Sequence, residues 1–317
     1  MGDMKRALLF PGQGSQAIGM GKELCGAFQA AKDVFQEVDD ALNQKLSLLM
    51  FDGSDADLKL TENTQPALMA VSMAVVRVLE KQGGKKLTDL ASYVAGHSLG
   101  EYAALCAVGT LSLRDTAKLL RIRGSAMQAA VPVGVGSMAA LLGVTLNEAL
   151  DIAKDAEQGQ VCSVANDNSV GQVVISGHKE AIERAVAIAA TKGFKRSVIL
   201  QVSAPFHCAL MKPAQEIMSQ HLNNVKMNAP SVPVVTNVSA KAETDIHALR
   251  THLEYQVSGM VRWRESMLYL KDKGVEAAIE AGSGTVLAGL MKRIDKDIQV
   301  TSLHTPQDIE TFLKTVH

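Results

Sequence analysis

Residues 96–100 read Gly96-His97-Ser98-Leu99-Gly100, between an apolar run at 91–95 and a helix-like stretch from Glu101 onward. A strand, a glycine-flanked serine and a helix in that order are the makings of a nucleophile elbow. The chain must reverse between strand and helix within a residue or two, and the flanking glycines remove the Cβ atoms that would clash there. The Ser98 hydroxyl is therefore expected to project from the strand end. The N–H of Leu99 then opens the helix and faces any oxyanion formed beside the serine, supplying half of an oxyanion hole. The bland alternative is a glycine-rich turn that happens to hold a serine; the strand and helix on either side argue against it.

The rest of the chain provides a setting for such an elbow. A strand is expected at Arg6–Phe10, then a glycine-rich loop over 11–21, a helix over 25–42 and another over 65–82, with Asn63 or Thr64 as cap and Pro66 in its first turn. After the elbow a helix over 113–130 stops before Pro132. This alternation points to a parallel sheet covered by helices on both faces. The pattern then changes: strand 136–144, helix 146–157, strands 161–165 and 172–176, helix 179–192 and strand 196–202. That βαββαβ order is the ferredoxin-like unit. It lies between the elbow and a later histidine loop, so we read residues 132–202 as a small subdomain inserted into a core made of 1–131 and 203–317. Helices over 214–225, 246–256 and 263–273, strands over 232–238 and 275–281, and a glycine-rich turn into a last helix complete the expected core.

Composition excludes several classes of function. Lys plus Arg total 32 against 33 Asp plus Glu, so no global field attracts nucleic acid or an anionic membrane. Apolar runs are far shorter than the ~18 residues a membrane span needs. Gly2 fits a myristoylation site only in part, because position 6 is Arg, and the apolar stretch before Pro11 is too short for a signal peptide. Cys25, Cys106, Cys162 and Cys208 have neither metal-ligand nor paired spacing, and read as free thiols in a reducing compartment. A cytoplasmic protein without metal is the expectation.

Other residues fall into place around Ser98. Residues 12–17 formally fit the dinucleotide fingerprint, but no second strand ending in an acid follows at the required distance. A better use for that loop is to bring a backbone N–H, that of Gln13, to a bound acyl group. His207, in the proline-flanked Ala204-Pro205-Phe206-His207-Cys208, is the leading candidate for the base, while the histidines at 221, 247, 252 and 304 read as helix-surface or tail residues. His97 reads as a pocket wall. No Asp or Glu presents itself as the third member of a triad; the acids nearby read as helix-surface residues. Arg123 is either a solvated helix arginine or a bidentate clamp for a substrate carboxylate, and composition does not choose between these.

Taken together, Phe10-Pro11-Gly12-Gln13-Gly14-Ser15-Gln16, Thr64-Gln65-Pro66-Ala67-Leu68, the elbow with Glu101-Tyr102, Arg123-Gly124 and Phe206-His207 resemble the malonyl-CoA:acyl carrier protein transacylases, from about residue 6 to residue 294. The resemblance implies an α/β-hydrolase-like core with an inserted ferredoxin-like subdomain. It implies Ser98 as nucleophile, His207 as base, Gln13 and Leu99 as the oxyanion hole, and Arg123 on the malonyl carboxylate. Gln65 is then a pocket residue, with Asn166 and Asn168 near it unless they are simply turn residues. The carbonyl of Gln256 orients His207 in place of an acid, and Phe206 before the histidine goes with malonyl rather than methylmalonyl. It also implies malonyl-CoA and an acyl carrier protein as partners, a ping-pong reaction through malonyl-serine, no cofactor and a monomer. Two positions depart from many relatives: Gly259-Met260 stands where they have Asn-Pro, and Gly282-Ser283-Gly284 where they have Gly-Pro-Gly. The alternative functions are a serine thioesterase or lipase-like hydrolase, and a silent carrier-binding module. Basic clusters such as Lys192, Lys195 and Arg196, or Lys292 and Arg293, are candidate carrier contacts, if they are not ordinary solvated faces.

Overall fold

The computed structural model describes residues 4–202 and 204–316; Gly2 and the core boundary at 203 lie outside them. The strands in chain order are β1 (Arg6–Phe10), β2 (Tyr93–Gly96), β3 (Gly136–Leu142), β4 (Cys162–Ser169), β5 (Gln172–His178), β6 (Val198–Ile199), β7 (Val234–Val235), β8 (Ala242–Glu243), β9 (Ala277–Ala281) and β10 (Gln299–Leu303). They form two sheets in a mixed α/β fold. The larger has the order β10-β9-β1-β2-β7-β8. Its neighbours run parallel except for the edge pair β7 and β8.

Because successive strand residues face opposite sides, β1 supplies both cores of the large sheet. Leu8 and Phe10 pack toward the helices Gln29–Leu42, Thr61–Gly83, Gly100–Ala107 and Leu113–Ala129. Ala7 and Leu9 pack with Ala95 and Val235 against Trp263 and Met267 of the helix Trp263–Asp272, and Leu287 and Met291 of the helix Val286–Ile294.

The smaller sheet, β4-β5-β3-β6, is antiparallel throughout. It alternates in the same way. Ala139 and Leu141 of β3 and Val173 and Ile175 of β5 face a private core with the helices Leu146–Glu157 and Lys179–Thr191. Met138, Ala140 and Val174 face the main core, so the second face of this sheet becomes a wall of the molecule's central cleft.

Several elements differ from expectation. The helix expected over 25–42 is two, Lys22–Ala27 and Gln29–Leu42, broken where Phe28 adopts an extended conformation with φ −130°. The next helix begins a turn early, at Thr61, with Pro66 inside it. Asn63 and Thr64 do not cap it; their side chains bond the carbonyls of Asp57 and Leu58. Asn166 and Asn168 are not turn residues: β4 runs through them, with register shifts that a plain alternation pattern does not reveal. The strands expected over 196–202 and 232–238 shrink to the pairs β6 and β7. Strand β10 and the closing helix Pro306–Leu313 were not anticipated. Among the described residues no helix is long and apolar enough to cross a membrane.

Candidate active site

The elbow is as tight as its glycines imply. A Cβ on Gly96 would lie 1.9 Å from the Gly100 carbonyl, and one on Gly100 would lie 2.3 Å from the carbonyl of Phe10. Ser98 itself has φ 54°, a left-handed conformation that is costly for a residue with a side chain. Its cost is met by surrounding bonds. The Ser98 N–H donates to Oδ1 of Asn237 at 2.8 Å, and Nδ2 of Asn237 donates to the Gly96 carbonyl at 2.7 Å, so one asparagine ties both sides of the turn. The N–H of His97 bonds the carbonyl of Phe10 at 3.0 Å, which draws the loop after β1 up to the elbow. Gly12 permits that approach: a Cβ there would meet the His97 carbonyl at 2.6 Å. Gln13 follows directly, and it lines the same cleft as Ser98.

Ser98 Oγ and His207 Nε2 lie 2.8 Å apart. The other ring nitrogen, Nδ1, faces the carbonyl of Gln256 at 2.8 Å and that of Gly259 at 3.2 Å. Two carbonyl acceptors require a proton on Nδ1, which leaves Nε2 as the acceptor toward the serine. His207 is also left-handed, with φ 57°. Burial, followed by the positive charge of Arg123, lowers its pKa to about 3, so the imidazole is neutral and able to take a proton. Gly259, one of the two departures noted above, thus contributes its carbonyl to the histidine. The other departure is accommodated by a hydrogen bond from Ser283 Oγ to the Ser15 carbonyl at 2.7 Å.

Arg123 is not a solvated helix arginine. It is 1% exposed, on the helix Leu113–Ala129, and no carboxylate among the described residues pairs with it. Nη1 donates to Oε1 of Gln65 at 2.8 Å, while Nη2 donates to Oε1 of Gln256 at 2.7 Å and to Ser98 Oγ at 3.2 Å. Burial disfavours its charged form, and the face of Tyr102, 5.6 Å from Cζ, provides partial compensation. A guanidinium held by neutral amides beside a nucleophile keeps its charge available for an incoming anion.

These groups open onto a cleft of about 710 Å³ that is also lined by His97, Asn166, Asn168 and Phe206. His97 Nε2 bonds Asn168 Oδ1 at 2.8 Å, joining the elbow to the small sheet. Leu99 is buried and stands at the cap of Gly100–Ala107. No three His, Cys, Asp or Glu side chains converge as a metal site among the described residues.

Comparison with known proteins agrees with this geometry. The acyl transferase domain model matches residues 7–305. The malonyl CoA-acyl carrier protein transacylase of Escherichia coli strain K12 is 43% identical over 97% of this chain and 98% of its own length. The chain belongs to the malonyl CoA-acyl carrier protein transacylase family. Among solved structures, the acyl-carrier-protein-S-malonyltransferase from Bartonella henselae is 53% identical, covers 99% of both chains and superposes with a TM-score of 0.96. A malonyl-transacylase in complex with a type II PKS acyl-carrier protein is 40% identical with a TM-score of 0.95, over 98% of this chain and 99% of its own.

For a transacylase of this family, three residues of the site were not anticipated in these roles. Glu101, expected with its neighbours on a helix surface, is fully buried beneath the elbow. Asn237 falls within the strand expected over 232–238 but beyond the observed β7, and its tie to the elbow spans 139 residues. Gln256 was expected to act only through its carbonyl, yet its side-chain amide also bonds Arg123 and the Ser98 carbonyl. Among the other histidines, His252 bonds Thr236 Oγ1 at 3.0 Å and is half-buried rather than on a helix surface.

Proposed function

We propose that this chain transfers the malonyl group of malonyl-CoA to the pantetheine thiol of acyl carrier protein, supplying the extension unit for fatty-acid synthesis. One observation carries the reading: a serine and a neutral histidine 2.8 Å apart share their cleft with an arginine that is buried, bonded to the side-chain amides of Gln65 and Gln256, and 3.2 Å from the nucleophile. The names of the full-length relatives point the same way. His207 takes the proton of Ser98 as Oγ attacks the thioester carbonyl, and the N–H groups of Leu99 and Gln13 hold the oxyanion. The tetrahedral adduct collapses as His207 returns its proton to the departing CoA sulfur. Malonyl-serine remains. The carrier thiol next loses its proton to His207 and attacks the ester, and Ser98 recovers its hydroxyl as the malonyl-carrier thioester leaves.

Arg123 selects the acyl group by pairing with the distal carboxylate, with Gln65 beside it and Phe206 narrowing the cleft. Acyl transfer between thiols through an ester needs only proton transfer and oxyanion stabilisation, so no metal or redox cofactor enters the scheme. The same reading takes the large sheet with its helices as an α/β-hydrolase-like core. Residues 132–202 are then an inserted ferredoxin-like subdomain, supported by the sheet order β4-β5-β3-β6 and the private hydrophobic core. It also takes the protein as a cytoplasmic monomer.

Incubation with malonyl-CoA should give a malonyl adduct on Ser98, located by mass spectrometry and lost in Ser98→Ala, and holo-carrier protein should then collect the group. Release of free malonate in the absence of carrier would favour the hydrolase, and no adduct at all the silent module. Arg123→Ala should slow malonylation at least tenfold more than acetylation, because a charge-assisted bidentate pair contributes roughly 1.5–3 kcal/mol. An equal fall with both substrates would remove Arg123 from the carboxylate.

A further inference from the structure

Beneath the elbow lies a carboxyl group to which this scheme gives no task. Glu101 stands in the first turn of Gly100–Ala107 and is 0% exposed. Its Oε2 accepts from the Asn237 N–H at 2.9 Å and from Gln256 Nε2 at 3.2 Å. Its Oε1 is buried with no hydrogen-bond partner among the described residues. Glu101 is no member of a triad, since both contacts of His207 Nδ1 are backbone carbonyls.

Gln256 is the junction between this group and the chemistry. The oxygen and nitrogen ends of an amide have nearly the same shape, so packing alone does not decide which end faces Arg123. Hydrogen bonding does. On the nitrogen side Nε2 meets two acceptors, the Ser98 carbonyl at 2.8 Å and Glu101 Oε2 at 3.2 Å. That leaves Oε1 turned to Arg123 Nη2 at 2.7 Å. Reversed, the amide would set donor against donor beside a buried cation, while its oxygen faced the oxygens of Ser98 and Glu101.

We propose that Glu101 is a positioning residue for acyl-group selection: it holds the Gln256 amide with its oxygen toward Arg123, and so sets the guanidinium that meets the substrate carboxylate. The inference rests on the malonyl-transfer reading above. Glu101 acts here through the hydrogen bonds that its Oε2 accepts, in either protonation state of the carboxyl. Burial raises its pKa to about 7, and a proton on the unpartnered Oε1 leaves Oε2 accepting as before.

The test compares the second-order rate of Ser98 acylation by malonyl-CoA and by acetyl-CoA, followed by intact-protein mass spectrometry. Glu101→Ala should lower the malonyl-to-acetyl ratio about fivefold or more, the effect of losing one hydrogen bond from a charged site. Glu101→Gln, whose amide oxygen still accepts from Asn237 and Gln256, should restore the ratio to within about twofold of wild type. If Glu101→Ala does not fold, Gln256→Met keeps the side-chain volume and the carbonyl facing His207, and should lower the ratio by a similar factor. A merely structural role would slow both substrates by one factor and leave the ratio unchanged. That result, or a Glu101→Gln as impaired as Glu101→Ala, would overturn the inference while wild-type malonylation left the functional reading standing. Wild-type protein that takes no malonyl group would overturn both.

Discussion

His207 combines full burial with the cationic neighbour Arg123, and both push its imidazole toward the neutral state. With a pKa of about 3 in place of 6.5, Nε2 is ready to accept a proton across the whole neutral range. Acylation at low malonyl-CoA should therefore hold its rate as pH falls from about 8 through 6.5, where an ordinary histidine would be half protonated. A decline with its midpoint near 6.5 would contradict this. Stability runs the other way on acidification. Between the two pKa values the unfolded chain binds a proton that the folded chain refuses, so this site's contribution is intact above the unfolded value and is lost as pH falls toward the folded one. Relative to His207→Gln, the wild-type protein should lose about 2–4 kcal/mol of unfolding free energy between pH 6.5 and 4, measured by urea titration. Single residues such as Ser98 and His207 were legible in the sequence because their chemistry is written in local signals, a glycine-flanked serine and a proline-flanked loop. Glu101 was not. A glutamate in a first helical turn looks solvated until a distant loop is laid over it.

At the level of elements, the elbow depends on contact between backbones. The Gly100 Cα faces the carbonyl of Phe10, which is itself bound to the N–H of His97, so an added methyl at 2.3 Å meets atoms that cannot retreat. Gly100→Ala should destabilise the fold by about 2–4 kcal/mol in urea unfolding and slow acylation with it, because strand and helix must part to admit the Cβ. A substitution without effect on the unfolding midpoint would mean that the turn is looser than its geometry. Helices with strong local end signals were placed well from sequence: Leu146–Glu157 begins at the Thr145–Glu148 capping box, and Ser112 caps Leu113–Ala129. The short strands β6, β7 and β8 carry only two residues each, and pairing across the sheet rather than local pattern sets their ends. Pro66 misled for a related reason. Proline favours a first turn, but here the helix gains a turn before it because Asn63 and Thr64 bond back to the preceding chain.

For the molecule as a whole, the cleft exists because the small sheet is held against the large one. Val261, in the loop before Trp263–Asp272, bonds β4 on both sides, its N–H to the Ala165 carbonyl at 2.8 Å and its carbonyl from the Asp167 N–H at 3.0 Å. Arg264 then reaches Asp167 with Nη2 2.9 Å from Oδ2, on a carboxylate side chain only 1% exposed. Arg264→Met should cost about 2–4 kcal/mol, since it strands a buried charge, and Asp167→Asn should cost less. Thermal unfolding of the two variants measures the difference, and equal melting temperatures would show that the pair does not fasten the sheets. By itself the sequence determined the elbow, the alternation of strands and helices, the βαββαβ segment and the residue types of the reaction. All of these rest on neighbours within a few positions, where glycine sterics, capping and hydrophobic period act. Tertiary structure alone decided that Arg123 is buried against the amides of Gln65 and Gln256, that Asn237 ties the elbow and that Gln256 turns its amide oxygen to the guanidinium. Those outcomes depend on which polar groups meet after chain segments more than a hundred residues apart have packed, and only then does burial make each hydrogen-bond partner decisive.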